Sequence, residues 1–388
     1  MQTDFDVVVV GGGLVGLSLA AALRDAGLRL ALVEPQAPRE LAGADDWDSR
    51  IYAISPGSAA FLERCGAWQC VPEERIARVE SMRIYGDDGR AELKFSAYDA
   101  GLRELAFIVE NNQLQTALWQ AASQVAQIYC PASWIALALD ARQAMLRLDD
   151  GTELGARLVA GADGAESKIR AAAGIEARPE DYAQLGVVGN FECEKAHRGV
   201  AFQWFRRDGV LALLPMPGNR VSMVWSIAQD RGRELLALSG EALAAEVETA
   251  SAGAVGSLAL LAPAAAFPLR LLRVKDFTRE RLALVGDAAH NVHPLAGQGV
   301  NLGFRDAREL SNVLAGRGPQ PDCGDRVLLR RYERARREDV LSMQLMTHGL
   351  QKLFGYDAVW VAKARNLGLT MVNWQPQLKS FLVHHAIA

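Results

Sequence analysis

The stretch "VVVVGGGLVGLSLAAAL" restricts the fold of this chain more than any other. Phe5 to Val10 is a short β-branched run without polar alternation, the pattern of a strand buried on both faces of a parallel sheet. Three glycines stop it. Leu14 to Ala26 then carries strong helix formers and runs into Gly27, a residue suited to a left-handed C-terminal cap. "LRLALVE" follows as a second strand, so the sequence predicts a βαβ unit of about 34 residues at the start of the chain.

Within that unit, Gly11-x-Gly13-x-x-Gly16 sits between strand and helix, the context that gives this pattern its meaning. Gly11 permits the tight turn, Gly13 lets backbone N–H groups approach a pyrophosphate, and Gly16 lets helix lie close on strand. Glu34 closes the second strand, where a carboxylate accepts both hydroxyls of an adenosine ribose. The expected ligand is an adenine dinucleotide, and no second fingerprint of this kind follows.

The remaining bulk properties mostly exclude. With 388 residues, half of them hydrophobic, the chain has material for roughly two to three cored domains. A net charge of -4 gives no basic field for nucleic acid. Five cysteines without Cys-x-x-Cys spacing argue against a disulfide framework or zinc ribbon and fit a reducing compartment. The opening "MQTDFD" has two aspartates where a signal peptide needs a basic region, so neither secretion signal nor transit peptide is expected. The uncharged stretch 249–269 is interrupted by Pro263, Pro268, Gly253 and Gly256 and is read as no membrane span.

Further along, "SMRIYGDDGRAELKF" and "AMLRLDDGTELGARLV" read as hairpins about Asp88-Gly89 and Asp150-Gly151. From about Ala177 to Val274 the chain is strand-rich, predicting an inserted antiparallel sheet. In it Phe202, Trp204, Leu213, Leu214, Met216, Met223 and Trp225 read mostly as core, with Pro215 and Pro217 flanking Met216 at a strand end. "RLALVGDAAH" then resumes the buried-strand pattern, and the chain from Val327 onward reads as helices.

Two strand ends carry acids. "RLVAGADGAESKIR" ends in Asp163-Gly164, and "LALVGD" ends in Gly286-Asp287. Both acids are expected at the carboxyl edge of the sheet, where ligands bind in such folds. Asp287 is placed to hydrogen-bond a ribityl hydroxyl. The loop "HPLAGQGVN" feeds a helix beginning near Gly299 to Asn301, whose N-terminus offers free N–H groups and partial positive charge for an anionic reduced flavin. His290 and His293 read as packing or hydrogen-bonding groups beside the loop, and no metal site is expected.

"HPLAGQGVNLGFRD", His293 to Asp306, closely resembles the signature of the ubiquinone-biosynthesis hydroxylases among the class A FAD-dependent aromatic monooxygenases, typified by p-hydroxybenzoate hydroxylase. The resemblance extends over nearly the whole chain: the glycine fingerprint, "DSRIYAIS", "IVENNQLQTAL", the Asp-Gly motif and the Gly-Asp motif occur in family order. It implies an α/β fold of p-hydroxybenzoate hydroxylase type. An FAD-binding Rossmann-like domain from 1–78, 102–176 and 275–345 would carry an inserted antiparallel-sheet substrate domain from 79–101 and 177–274, with a C-terminal helical segment at 346–388. It places Arg50 near the flavin pyrophosphate, Asn111 at the ribityl chain, Asp163 and Gly164 in the motif shared by FAD and NAD(P)H, and Gly286 and Asp287 at the ribityl chain. Pro294, Gly299, Val300 and Asn301 would line the isoalloxazine, and Gly297 and Gln298 complete the cofactor-binding set. Glu166 stands where the family usually has Asn, adding a negative charge near the nicotinamide path.

The implied reaction is ring hydroxylation of a polyprenylated phenol. NAD(P)H or another donor reduces FAD as a transient reductant, and O2 as co-substrate forms a flavin C4a-hydroperoxide. The flavin then supplies the chemistry, which fits the lack of any nucleophile–base constellation such as Gly-x-Ser-x-Gly. The resemblance implies a cytoplasmic protein at the periphery of the inner membrane, touching a membrane surface or subunits of a biosynthetic complex through the arginines of "LLRRYERARRED" and the apolar tail with Trp374 and Phe381. A solvated helix face fits those arginines equally well. Three other readings remain open: hydroxylation of a soluble phenol, flavin-dependent reduction of a prenyl chain, and a non-catalytic FAD-binding subunit.

Overall fold

The computed structural model of the protein describes residues 3–39, 43, 46–87, 91–291, 299–318 and 322–355. The βαβ unit forms at the start: strand Phe5–Val10, helix α1 (Leu14–Ala22) and strand Leu30–Val33. The helix ends at Ala22, four residues before the sequence pattern does. Leu23, Arg24 and Ala26 keep coiling, but through bonds to the residue three back, from Leu23 N to Ala20 O, Arg24 N to Ala21 O and Ala26 N to Leu23 O. This tightened last turn unwinds at Gly27, whose φ is +63°.

A parallel core sheet grows from this unit. Strands Leu282–Leu284, Glu153–Gly161, Phe5–Val10, Leu30–Val33 and Ala126–Tyr129 lie side by side in that order, every adjacent pair parallel. Val7, Val8 and Val9 are fully buried, as a strand covered on both faces must be. The hairpin about Asp150-Gly151 adds Ala144–Leu148 antiparallel to Glu153–Gly161. A small antiparallel sheet of Ile51–Ile54, Ala106–Glu110 and Ala77–Val79 stands apart from it. Helix α2 (Pro56–Arg64) follows the first of those strands and α3 (Asn111–Ser123) the second, while the short α4 (Lys168–Ala172) follows Glu153–Gly161.

The strand-rich segment builds a second large sheet. Ala177–Cys193, Arg220–Ala228, Gly209–Met216 and Val200–Arg206 are neighbours in that order and antiparallel. The earlier pair Ser81–Tyr85 and Glu92–Ser96 joins its edge, but Ser81–Tyr85 runs parallel to Val200–Arg206, so the sheet is mixed and not purely antiparallel. A parallel pair requires a long crossover, and the stretch between residues 96 and 200, which passes through the first sheet, supplies it. The Asp88-Gly89 turn of this pair lies outside the described residues. The segment also contains helices that strand alternation does not announce, α5 (Gln229–Ala237) and α6 (Gly240–Ala250). They end the uncharged stretch 249–269 as a helix tip, turns and two strands. Among the described residues, no helix is long and apolar enough to cross a membrane.

Phe202, Trp204, Leu213, Met223 and Trp225 form one core on one face of this sheet, whereas Leu214 and Met216 pack on the other with Ala77, Val79 and Ile108. Asn190, Gln203 and Ser222 alternate with core residues and therefore also face away from that core, yet all three are buried. Helix α7 (Gly299–Ala315) packs against α1 and α2, and the long α8 (Arg326–Gly355) against α7.

Candidate flavin site at the carboxyl edge of the parallel sheet

Register places the site. Val33, Val10, Gly161 and Leu284 are paired neighbours across four parallel strands, at their carboxyl ends. Glu34 and Gly11 come next on two of these strands, and Asp163 and Gly286-Asp287 follow one residue further on the other two, so four separate motifs meet along one edge, flanking the strand from which the connections diverge.

The glycines of the first turn divide by what a Cβ would meet. At Gly11, with φ +113°, it would lie 2.4 Å from Ala162 O, and at Gly16 it would lie 2.0 Å from Gly11 O. Both are packing requirements of the strand–helix junction. At Gly13 nothing lies within 4 Å, although it caps α1 without a side-chain bond of its own. Its exposed backbone at a helix N-terminus is the cradle a pyrophosphate needs. Gln115 of α3 steadies this turn by donating from Nε2 to Gly12 O at 2.9 Å. Asn111 reaches Gln115 Oε1 at 3.5 Å through its side chain, and its N–H donates to Arg50 O at 2.9 Å. The Glu34 carboxylate accepts from Gly12 N at 2.5 Å and Gln36 N at 3.1 Å.

Asp163 caps α4, accepting from Ser167 Oγ at 2.5 Å and Ile169 N at 3.0 Å, with Gly164 at φ +82° beside it. Glu166 is paired with Arg270 of the second sheet at 2.5 Å, so its charge has a partner.

Asp287 retains open surface although protein crowds it from every side. The crowding raises its carboxyl pKa; His290 and Arg50 act the other way, and Asp306 adds to the rise. Tyr52 lies in the same electrostatic neighbourhood. Burial raises its phenol, Arg50 opposes, and Asp287 and Asp48 reinforce.

Behind the turn, Asp306 of α7 is wholly buried and accepts from Gly286 N at 2.9 Å, His290 Nε2 at 2.6 Å and Arg336 Nε at 2.7 Å. Burial alone would raise its pKa; His290 and Arg336 outweigh that and hold the carboxyl below the usual range. His290 is thus occupied as a hydrogen-bonding group. Val15 of α1 fits between the bare backbones of Gly286 and Gly303, where added Cβ atoms would lie 3.1 Å and 2.5 Å from its methyls.

At the start of α7, Gly299 has nothing within 4 Å of an added Cβ, and Val300 packs partly against the core. Asn301 is buried and turns its amide to the "DSRIYAIS" strand: Oδ1 accepts from Ser55 N at 2.9 Å and Nδ2 donates to Ala53 O at 2.8 Å. Its amide therefore holds strand to helix. Pro294, Gly297 and Gln298, like His293, lie outside the described residues. Gln115, Tyr52 and the Asp306 cluster went unnoticed in the sequence. Gln115 and Asp306 stand inside motifs already singled out, and their spacing was the available signal.

These strand ends and the open glycine turn define a flavin-binding fold. A family model described as an FAD binding domain matches residues 4–344. The p-nitrophenol 4-monooxygenase PnpA from Pseudomonas putida superposes with a TM-score of 0.80 at 18% identity, covering 100% of this chain and 99% of that one. PqsL from Pseudomonas aeruginosa gives 0.77 at 23% identity, over 94% and 99%. The chain is 36% identical to ubiquinone hydroxylase UbiL of Rhodospirillum rubrum, over 98% of this chain and 89% of that protein. It is 34% identical to the 3-demethoxyubiquinol 3-hydroxylase of Escherichia coli, over 98% of each. The chain belongs to the FAD-dependent hydroxylases of ubiquinone biosynthesis and is a monooxygenase.

Proposed function

We propose that this enzyme hydroxylates the aromatic ring of a polyprenylated phenol, with O2 as co-substrate and NAD(P)H as the transient reductant. The observation that carries this reading is the convergence of four motif-bearing strand ends on one edge, beside a glycine turn and a helix N-terminus that both leave room for a ligand. The names of the two relatives, both hydroxylases of ubiquinone compounds, point the same way.

When bound, FAD supplies the electron and oxygen chemistry. The chain holds and orients. Gly11, Gly13 and Gly16 with the N–H groups of α1 would receive the pyrophosphate, and Glu34 the adenosine ribose, exchanging its bond to Gly12 N for ribose hydroxyls. Arg50 would stand at the pyrophosphate and Asn111 and Asp287 at the ribityl chain. Asp163, Gly164 and Gly286 keep their turns, and Gly299, Val300 and the α7 N-terminus favour negative charge on the ring system. Asn301 fixes that helix start. Pro294, Gly297 and Gln298 would complete the wall.

The segments 1–78, 102–176 and 275–345 would form the cofactor domain, and 79–101 with 177–274 the substrate domain. Asn190, Gln203 and Ser222, buried on the sheet face opposite its core, would form a polar wall for the ring; Asn190 Nδ2 already reaches Asp48 O at 2.9 Å. The Glu166–Arg270 pair would leave a nicotinamide path without net repulsion.

A lipid substrate calls for contact with the membrane. On α8, Arg330, Arg331, Arg334 and Arg337 are exposed, together with Leu341 and Leu345 at 52% and 60%. This mixture suits an anionic surface. Arg336, in the same run, points inward to Asp306. Flotation with anionic liposomes tests the contact, and protein remaining wholly unbound rejects it.

The reaction is tested by profiling quinones and prenylphenols by mass spectrometry in a strain lacking this chain. An intermediate one hydroxyl short should accumulate, relieved by wild type and not by Asp287→Ala. Normal quinones in that strain, with turnover stimulated by soluble phenols, would move the assignment to a soluble substrate.

A further inference from the structure

On the side of α7 that meets α2 and α8, three arginines gather without enough counter-charge. Arg305 is 7% exposed and spends only Nη1 on a protein group, the Asp339 carboxylate at 3.3 Å. Its Nε and Nη2, which form the other edge of the guanidinium fork, are buried and have no partner among the described residues. Asp339 is shared with Arg336, and both Asp306 oxygens are already taken. Arg308, one turn on, is half-buried, and its side chain makes no hydrogen bond or ion pair among the described residues; Arg64, at the end of α2, is exposed and stacks over Phe61, which in turn meets Phe304 of α7. The cluster therefore runs from the interior to the surface.

Guanidinium cannot shed its proton to escape burial. Burial first, and then the charges of Arg305, Arg336 and Arg64, pull the Arg308 pKa below its ordinary value, with Glu309 opposing. The arrangement thus costs stability when it stands alone. The free edge of the planar Arg305 fork suits two oxygens of a tetrahedral phosphate group, and the charges of Arg308 and Arg64, which act on the same neighbourhood, suit its negative charge. By helix rise, Arg305 and Arg308 lie about 9 to 14 Å along α7 from its N-terminus, away from the end proposed to face the flavin ring.

We propose that Arg305, Arg308 and Arg64 form a second anion site that binds a phosphate group, carried either by a soluble ligand or by a phospholipid headgroup. Thermal unfolding of the FAD-loaded protein is measured as inorganic phosphate is added, with chloride at matched ionic strength as control. Wild type should show a saturable rise that chloride does not give. Arg308→Gln should bind phosphate about tenfold to a hundredfold more weakly and melt higher than wild type without phosphate, because it removes an unpaired like charge. Arg64→Gln, at an exposed position that leaves folding alone, should weaken binding in the same direction.

Vesicles of phosphatidylcholine with phosphatidylglycerol separate the sources. If Arg308→Gln lowers vesicle binding, the headgroup is the ligand; if only the phosphate response falls, the ligand is soluble. Equal phosphate and chloride responses, or an Arg308→Gln protein that melts lower than wild type and keeps the phosphate response, would overturn the proposal.

Discussion

Asp287 and Asp306 are two carboxylates on either side of one turn, and they are treated oppositely. Asp306 has no exposed surface and three donors: Gly286 N, His290 and Arg336. Asp287 is the residue after Gly286 and keeps open surface, with its pKa raised and no protein donor bonded to it among the described residues. The first charge is fully compensated by the fold. The second is left uncompensated by any hydrogen-bond donor among the described residues. A buried charge that the protein satisfies is structural, and one left unsatisfied beside open surface is a candidate for a ligand contact.

The largest effect should follow from removing the compensated member. Asp306→Ala leaves His290 and Arg336 buried without their partner and should cost about 3 to 5 kcal/mol in urea unfolding. A loss under about 1 kcal/mol would mean the cluster carries little of the turn's stability. The same division can be broken at the first turn. Gly16→Ala should cost about 1 to 3 kcal/mol by overpacking against Gly11 O, whereas Gly13→Ala should cost about 1 kcal/mol or less yet weaken FAD binding about tenfold in a fluorescence titration. Equal stability losses at the two sites would erase the distinction between packing and ligand glycines.

Asp287→Asn should also weaken FAD binding by about tenfold or more while leaving the FAD-free protein as stable as wild type or more so. The smallest effect is in the pH dependence. Asp306, lowered below 3.8, contributes stability that persists above the ordinary carboxylate range and disappears only as pH falls through its lowered value. Asp287, raised above 3.8, keeps its proton to higher pH when folded, so its penalty arrives as pH rises through the raised value. The melting difference between Asp287→Asn and wild type, measured without FAD, should therefore be greatest near neutral pH and close on acidification. A difference that widens in acid would reverse the assignment.

Much of this was legible because local chemistry dictated it. The valine run, the glycine turn and the acids after "LVAGA" and "LALVG" announce buried parallel strands and what they deliver to their ends, and register brings them together. The motif already separates Gly11 and Gly16 from Gly13, but the atoms that enforce the packing side, Ala162 O and Gly11 O, and the crowding of Gly12 by Glu34 become visible only in the fold. Asn301 sits in a signature that the sequence ties to the flavin, and only the fold shows that its amide is bonded to Ser55 and Ala53, nearly 250 positions earlier. The helices α5 and α6 and the parallel edge pairing escaped for the same reason: alternation reports a strand's two faces and not its neighbours. Arg336 read as one of a surface series, and the single turn of helix that sends it inward is set by α7.

Val15, caught between Gly286 and Gly303, also bears on how the chain is made. The strand before its helix, Phe5–Val10, gains a neighbour on one side almost at once, through Leu30–Val33, but the other neighbour ends at residue 161 and the second glycine of the vice is residue 303. At roughly 5 to 20 residues per second, the ribosome takes about 15 to 60 s to deliver them. Through that interval the side of the first helix that Gly286 and Gly303 cover stays open, and the cofactor site, whose glycine turn is made nearly 300 residues before its last wall, is completed late.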